Sequence, residues 1–153
     1  MAPDKKDIEL INSMMEQHNV VMGVVNRRLS SIKVILKWWS SGNINSAINA
    51  LSMMGDTSVV MDVLNYTFAD NQRVGMLNYE NVTQVLSHAS ALCGSKYETH
   101  VLCGMKTVAH LLSYFSKGIT DLKTTPVGRG VDLAREERVR KVDLCIEQFS
   151  KIF

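Results

Sequence analysis

The sequence predicts an all-α domain of about seven helices, arranged in antiparallel pairs that stack as an α-solenoid. Only two prolines and nine glycines interrupt its 153 residues. Apolar residues recur every three or four positions through most of the chain, which is the period of a helix rather than of a strand. Most of the turns between the predicted helices are short, and several helices are apolar on more than one side. These features fit stacked helix pairs, and a compact bundle is the alternative that they leave open.

The first predicted helix runs from about Asp4 to Met22 and begins at the adjacent Pro3 and Asp4. Its apolar residues cover an arc of roughly 160°, which is more than one neighbouring helix would bury. The second predicted helix runs from about Val24 to Ser40. One of its sides is predicted to enter the core through Val25, Leu29, Ile32, Ile35, Leu36 and Trp39.

The middle of the chain predicts three more helices. One covers 43–54 with Gly55 as its C-terminal stop, and another covers about 57–69. Residues 70–76 have the composition of a turn. A fifth helix begins after the capping residue Asn78, with Leu77 and Val82 as a hydrophobic staple, and ends at Gly94. The predicted core positions are Ile44, Ala47, Ile48, Leu51, Val59, Val60, Val63, Leu64, Tyr66, Val82, Val85, Leu86, Ala89 and Leu92.

Two long helices complete the prediction. Ser95 and Glu98 form a capping-box pattern that opens the sixth helix, which is expected to end at Lys117 and Gly118. Residues 118–131 make the longest connection, and Asp132 then caps the last helix. The apolar stripes of these helices are Tyr97, Val101, Met105, Val108, Leu112 and Phe115, then Val139, Val142, Ile146, Phe149 and Phe153.

Composition argues against several classes of protein. A formal charge of +2 and a pI near 8.5 are weak for a dedicated nucleic-acid-binding domain. Three cysteines without a C-x-x-C pair indicate no disulfide framework and suit a reducing cytosol. No apolar run approaches the roughly 20 residues needed to span a bilayer, and no secretory leader is recognisable. We therefore expect neither a membrane nor a nucleic-acid partner.

The sequence offers no recognisable catalytic centre. It contains no phosphate-binding glycine loop, no dinucleotide fingerprint, no serine-hydrolase elbow and no zincin motif. His100 and Cys103, with Cys93 and His110 nearby, could form part of a zinc shell or a thiol–imidazole pair, although buried packing explains them better. We therefore predict no catalytic residue, no metal and no cofactor.

Two surface patterns indicate binding instead. No acidic residue lies between Gly23 and Gly42, whereas four basic residues do, which suggests an acidic or phosphate-bearing partner; a plain solvated helix face is the alternative. A second basic cluster in the last helix is diluted by acids. The basic candidates are Arg27, Arg28, Lys33 and Lys37, then Arg135, Arg138 and Lys141. Apolar positions in excess of one core contact predict a partner-binding surface at Leu10, Met14, Val21, Val34 and Trp38.

Three segments in order resemble the C-terminal domain of the regulatory subunit of katanin, the WD40-repeat-containing component of the microtubule-severing complex. They are residues 58–65 (SVVMDVLN), 95–101 (SKYETHV) and 130–145 (GVDLAREERVRKVDLC), preceded by Trp38 and Trp39. The resemblance implies an armadillo- or HEAT-like α-solenoid that is not an enzyme. It further implies a heterodimer with the N-terminal domain of the catalytic AAA ATPase subunit, contact with microtubules, and spindle-pole or minus-end proteins as further partners.

The same resemblance assigns roles and a location. The five apolar candidates would bind the ATPase subunit, and the seven basic candidates would face acid-rich tubulin. The expected location is the cytoplasm and the cytoskeleton, at microtubules, spindle poles, the centrosome or the basal body. We expect a single interaction domain over residues 1–153, without the WD40 propeller of that family, as an excised domain or a short member. A generic helical adaptor and a nucleic-acid-binding helical domain are the rival interpretations.

Overall fold

The structure, a computed structural model, describes residues 4–126, 128, 130 and 132–153. Over these residues the chain forms seven α-helices and no strand, so the all-α prediction is confirmed. Pro3, predicted at the start of the first helix, lies outside the described residues, as do Val127, Arg129 and Val131 of the long connection. The helices are α1 (Lys5–Ser40), α2 (Ile44–Met54), α3 (Thr57–Phe68), α4 (Asn71–Val74), α5 (Tyr79–Cys93), α6 (Glu98–Thr124) and α7 (Leu133–Ile152).

Helix α1 is one continuous helix of 36 residues, where the sequence predicted two. At a rise of 1.5 Å per residue it is about 54 Å long. Gly23 stands at the predicted break, yet a glycine inside a helix costs only about 1 kcal/mol relative to alanine. That cost is too small to end a helix whose flanking residues continue it on both sides.

Capping residues define the starts of five helices. The side chains of Asn43, Asp56, Asp70, Asn78 and Asp132 each accept a hydrogen bond from a backbone N–H of the first turn that follows. These bonds satisfy donors that have no partner inside the helix. The predicted caps at Asn78 and Asp132 are confirmed, and Gly55 ends α2 in the left-handed conformation at φ 62°.

The predicted sixth helix differs at both ends. The Ser95–Glu98 capping box does not form, because α6 begins at Glu98 and Tyr97 is its N-terminal flanking residue. Ser95 Oγ instead accepts a hydrogen bond from the Tyr97 backbone N–H at 3.2 Å and shares one with His100 Nδ1 at 3.0 Å. At the other end α6 continues past Gly118 to Thr124.

Two predictions made from local composition, the end of α6 at Gly118 and the turn at residues 70–76, were wrong. Gly118 does not end α6, because the space that its missing side chain leaves is taken by Tyr79 of α5, whose hydroxyl would lie 2.8 Å from an added Cβ. Residues 71–74, predicted as part of a turn, form the one-turn helix α4, which Asp70 caps. The merger of two predicted helices into α1 and the addition of α4 offset each other, so the predicted number of about seven helices is confirmed for the described residues.

The consecutive long helices α5 and α6 run in opposite directions. Gly104 of α6 lies against Ala89 and Cys93 of α5, while Gly118 lies against Tyr79, so α5 and α6 are antiparallel. Helix α7 packs mainly against α5, where Cys145 Sγ donates to the Tyr79 carbonyl oxygen at 2.9 Å, and its Asp143 pairs with Lys123 of α6. The up-and-down order is that of stacked helix pairs around one core, to which every helix except α4 contributes.

A row of polar side chains joins α2 to α5, and we call it the polar seam. Asn81 Nδ2 donates to Asn45 Oδ1 at 2.7 Å, and Gln84 Nε2 donates to Asn49 Oδ1 at 3.2 Å. Ser52 and His88 share a third hydrogen bond of 3.0 Å. The partners advance together along both helices, which shows that α2 and α5 run parallel.

The predicted apolar stripes are confirmed in α2 and α5, whose core positions are all buried. In α3 the predicted core is confirmed except at Tyr66, which is exposed. The stripes of the last two long helices are only half right. Tyr97, Met105, Ile146 and Phe153 are exposed, while Cys103, Leu111 and Cys145 occupy the core instead. Among the described residues, no helix has both the length and the apolar character needed to cross a membrane.

Candidate functional site

The first 26 residues of α1 form a helix without a buried face. Every residue from 5 to 30 is exposed, and the first buried residue of α1 is Ile35. We call residues 5–30 the arm. Its large apolar side chains are between 40 and 69% exposed: Ile8, Leu10, Ile11, Met14, Met15, Val20, Val21, Met22, Val24, Val25 and Leu29. Apolar surface on this scale is typical of a surface that another part of the protein or another molecule covers.

Two predicted core residues belong to the arm. Val25 and Leu29 were expected to enter the core with Ile35 and Trp39, and they are exposed. The prediction was wrong because α1 extends beyond the helices that it packs against. Periodicity identifies an apolar face correctly but does not say whether a neighbour covers it.

Part of the arm continues the buried stripe of the same helix. Leu10, Val21 and the half-buried Ile32 are spaced by 11 residues, or about three turns at 3.6 residues per turn. Met14 precedes Ile32 by 18 residues, or about five turns. We call Leu10, Met14 and Val21 the inner stripe. It lies on the same side of α1 as Ile35 and Trp39, which pack against the rest of the domain. We call the domain without the arm the body.

The remaining two predicted partner-binding residues face another direction. Val34 and Trp38 lie about 120° around α1 from the inner stripe at 3.6 residues per turn. Both are exposed, like the three residues of the inner stripe. The structure therefore divides the five predicted residues into two surfaces. The sequence could not show this division, because two separate helices would leave their relative rotation undefined.

The four basic residues of α1 differ in their surroundings. Arg28 forms a two-point ion pair with Asp62 of α3, with Nε and Nη2 each 2.6 Å from a carboxylate oxygen. These hydrogen bonds, ahead of the charge attraction, raise the pKa of Arg28. Arg27, Lys33 and Lys37 are exposed, and within the described part of the chain none of them forms an ion pair.

The three basic candidates of α7 are all engaged inside the domain. Arg135 donates to the carbonyl oxygens of Thr125 and Pro126, and Arg138 Nε donates to the Ala134 carbonyl at 3.2 Å. Lys141 pairs with Glu137 at 3.2 Å and Glu80 at 3.6 Å, and its bond to Glu137 is the main cause of its raised pKa. The carboxylates neutralise Lys141, whereas Arg135 and Arg138 keep their charge but are held against the backbone of their own domain.

Three of the four side chains considered for zinc or thiol chemistry have other partners. Cys103 contacts the Asn65 side chain, with Sγ and Oδ1 3.7 Å apart, and burial raises the pKa of its thiol. His110 stacks on Phe68, and His100 bonds to Ser95. Within the described ranges, no three His, Cys, Asp or Glu residues are grouped so that they could hold a metal ion.

The sequence analysis missed two further features of the site. Asp62 neutralises Arg28 from a different helix, and no local signal in the sequence pairs the two residues. Val20 and Val24 widen the apolar surface of the arm, although the sequence did not assign them to it. Their signal is the run of six apolar or small residues from Val20 to Val25, which is too short to span a membrane but long enough to widen an exposed face.

Comparison with known proteins assigns this architecture to a family. The family described as the con80 domain of katanin matches residues 16–153. The chain is 32% identical over 142 residues to katanin p80 WD40 repeat-containing subunit B1 of Xenopus tropicalis, covering 93% of this chain and 21% of that protein. The protein of the same name from Gallus gallus is 32% identical over 146 residues, or 95% of this chain and 22% of its own length.

A plant relative extends the match. The chain is 26% identical over 144 residues to katanin p80 WD40 repeat-containing subunit B1 homolog KTN80.3 of Arabidopsis thaliana, covering 94% of this chain and 17% of that protein. The chain thus spans about a fifth of the length of the relatives that it matches. The resemblance found in the sequence is confirmed. This chain belongs to the family of katanin con80 domains.

Proposed function

We propose that this chain is a non-catalytic regulatory and targeting domain of a katanin complex, with the arm as its dock for the N-terminal domain of the AAA ATPase subunit. The observation that carries the proposal is the inner stripe. It continues the core-facing side of α1 beyond the body, where no described residue covers it. A helical partner that packs there would extend the stack of helices by another layer.

The size of the arm agrees with such a partner. Fully burying one aliphatic side chain contributes roughly 1.5–3 kcal/mol, so eleven half-exposed ones contribute on the order of 10 kcal/mol. Association of two proteins costs about 4–15 kcal/mol. A stable heterodimer therefore needs most of the arm, which favours a partner of one or more long helices over a short peptide.

Alanine substitutions on the two surfaces of α1 test this proposal. Leu10→Ala, Met14→Ala and Val21→Ala together should weaken binding to the N-terminal domain of the ATPase subunit by more than about 3 kcal/mol, measured by calorimetry. Trp38→Ala, on the other surface, should cost about 2 kcal/mol if the partner also wraps around α1. Native affinity of the triple variant would exclude the arm as the dock.

We also propose that basic residues of this chain help the heterodimer to bind microtubules. Arg27, Lys33 and Lys37 are the strongest candidates, because their charges form no ion pair among the described residues. Arg28, Arg135, Arg138 and Lys141 become secondary candidates. Attraction of this kind fades with salt, since the screening length is about 8 Å at physiological ionic strength.

Co-sedimentation of the heterodimer with microtubules tests the basic surface. Lys33→Glu with Lys37→Glu should reduce binding and flatten its dependence on salt. Lys106→Glu with Lys117→Glu changes the net charge equally on exposed positions of α6 and serves as the control. Equal loss in both variants would show that only net charge matters.

The second candidate function is a helical adaptor without microtubule contact. The observation that favours it is that four of the seven basic candidates already bond within the domain. Unchanged co-sedimentation of Lys33→Glu with Lys37→Glu would support this alternative. Retained binding to the ATPase subunit in the same sample would show that the docking proposal stands independently.

A further inference from the structure

Thr125 occupies an unusual place in this chain. It is the only serine or threonine that a proline follows anywhere in the sequence. It lies directly after the last residue of α6, its side chain is exposed, and its backbone is extended at φ −66° and ψ 125°. The following Pro126 favours that extended conformation. An exposed, extended Thr-Pro segment at a helix end has the form in which a kinase active site accepts its substrate.

A cation lies beside this threonine. Arg135 of α7 donates from Nη2 to the Thr125 carbonyl oxygen and from Nη1 to the Pro126 carbonyl oxygen, the latter at 2.9 Å. Its guanidinium thus lies at the residue that would carry a phosphate. A planar guanidinium binds phosphate oxygens in a two-point arrangement, with hydrogen bonds roughly twice as strong as those to a neutral acceptor.

We propose that Thr125 is a phosphorylation site for a proline-directed serine/threonine kinase, and that Arg135 holds the phosphate. In the reaction, a base of the kinase takes the Thr125 hydroxyl proton while Oγ1 attacks the γ-phosphorus of ATP. The bond from that phosphorus to the oxygen bridging to the β-phosphate breaks, and ADP leaves. The product is a phosphothreonine with a charge of about −1.5 to −2 at neutral pH.

The surroundings decide what the phosphate does. In the unmodified chain the Thr125 hydroxyl donates to the Asp121 carbonyl, a bond that an ionised phosphate cannot make. The new charge would also lie at the negative end of the α6 dipole. Lys123 is already paired with Asp143, which leaves Arg135 as the cation in contact with this residue among those that the structure describes. We therefore expect the modified junction between α6 and α7 to depend on Arg135 more than the unmodified one does.

A kinase assay on the full chain tests the site. The purified protein is incubated with ATP and either a cyclin-dependent or a mitogen-activated kinase, and phosphate is located by mass spectrometry. We expect phosphate at Thr125, none there in Thr125→Val, and a rate at least about tenfold lower in Pro126→Ala, the discrimination that one pocket contact supplies. Thr124→Val should behave like the wild type. Absence of phosphate at Thr125 with both kinases, or an unchanged rate in Pro126→Ala, would overturn the proposal.

The role of Arg135 has its own readout. The ³¹P resonance of the phosphothreonine is titrated in the wild type and in Arg135→Gln. A guanidinium in contact favours the doubly ionised phosphate, so the phosphate pKa should be lower in the wild type. Phosphorylation should also lower the melting temperature more in Arg135→Gln than in the wild type. Equal phosphate pKa values in the two proteins would remove Arg135 from the proposal.

Discussion

Arg28 of α1 and Asp62 of α3 are joined by two hydrogen bonds of 2.6 Å at the place where α1 leaves the body. N-terminal to this pair, α1 has no buried residue, and C-terminal to it lie Ile35 and Trp39 in the core. Among the described residues, this is the one ion pair that joins the arm to the rest of the domain. Arg28 therefore helps to hold α1 against α3, a role that its charge alone did not indicate.

Reversing the charge of Arg28 should destabilise the domain, because two carboxylates would then face each other. Both side chains are partly exposed, at 44% and 33%, so the loss should be about 1 kcal/mol. Urea unfolding of Arg28→Glu measures it. Adding Asp62→Arg to Arg28→Glu should restore most of the loss, and no recovery would show that the pair does not stabilise the fold.

Removing residues 1–25 should leave the body folded, because no described residue before Ile35 is buried in α1. Asn26 would then stand at the new helix start as a favourable cap. We expect a change in unfolding free energy below about 1 kcal/mol and complete loss of heterodimer formation. Circular dichroism and a pull-down measure both. A truncated chain that unfolds would show that the arm packs on the body.

Alanine substitution of the two adjacent tryptophans should destabilise the domain by very different amounts. Trp39 is 5% exposed and packs edge-on against Tyr66 with ring centroids 6.4 Å apart, so Trp39→Ala should cost about 3–5 kcal/mol of stability. Trp38 is 42% exposed, and Trp38→Ala should leave the fold largely intact. Thermal unfolding of the two variants compares them. Similar losses would mean that Trp38 is a core residue.

Two helical glycines provide a matched test of packing. An added Cβ at Gly104 would lie 2.8 Å from both the Ala89 carbonyl oxygen and Cys93 Sγ, so Gly104→Ala should destabilise by about 1–3 kcal/mol. Gly23 has no such neighbour within 4 Å among the described residues, and Gly23→Ala should raise the helicity of the arm. Thermal unfolding and circular dichroism follow the two variants. A Gly104→Ala domain as stable as the wild type would mean that α5 and α6 can separate freely.

Acid should weaken the domain through His88. Burial lowers the pKa of this imidazole below its usual 6.5, so the unfolded chain binds the proton more tightly than the folded one. The stability due to neutral His88 is therefore full above pH 6.5 and is lost as the pH falls through that value towards the folded pKa. Melting temperatures of the wild type and His88→Gln, recorded between about pH 7.5 and 5.5, isolate the effect from other groups. Parallel curves would contradict it.

The sequence predicted the elements that tertiary contacts do not alter. The predictions of α2 and α5 were correct because their signals lie within one segment. Each helix has a side-chain cap at its start and a fully buried apolar stripe, as Asn78 and Leu86 of α5 illustrate. Two of the errors in helix boundaries lie at glycines. Gly23 and Gly118 both stand inside helices, and only the surroundings, open space for one and Tyr79 for the other, show why.

The candidate site was predicted in part. An excess of apolar residues over one core contact pointed to α1, and Leu10, Met14 and Val21 are indeed exposed. Their separation from Val34 and Trp38 by rotation about the helix needed the continuity of α1. The charged residues were harder to assign. Asp62, the partner of Arg28, and Glu80, the second partner of Lys141, come from other helices, and pairs so distant along the chain leave no periodic trace.

The uncovered arm also limits how this chain can exist by itself. Eleven large apolar side chains exposed to water favour self-association of the chain. The arm is also only weakly stable as a helix, because isolated helices are marginal in water. A chain made in excess of its partner would therefore fill its own binding surface with copies of itself or be cleaved there by proteases. If the proposed partner covers the arm, expression together with it should raise the yield of soluble protein, and the amount of this domain in a cell would then follow the supply of that partner.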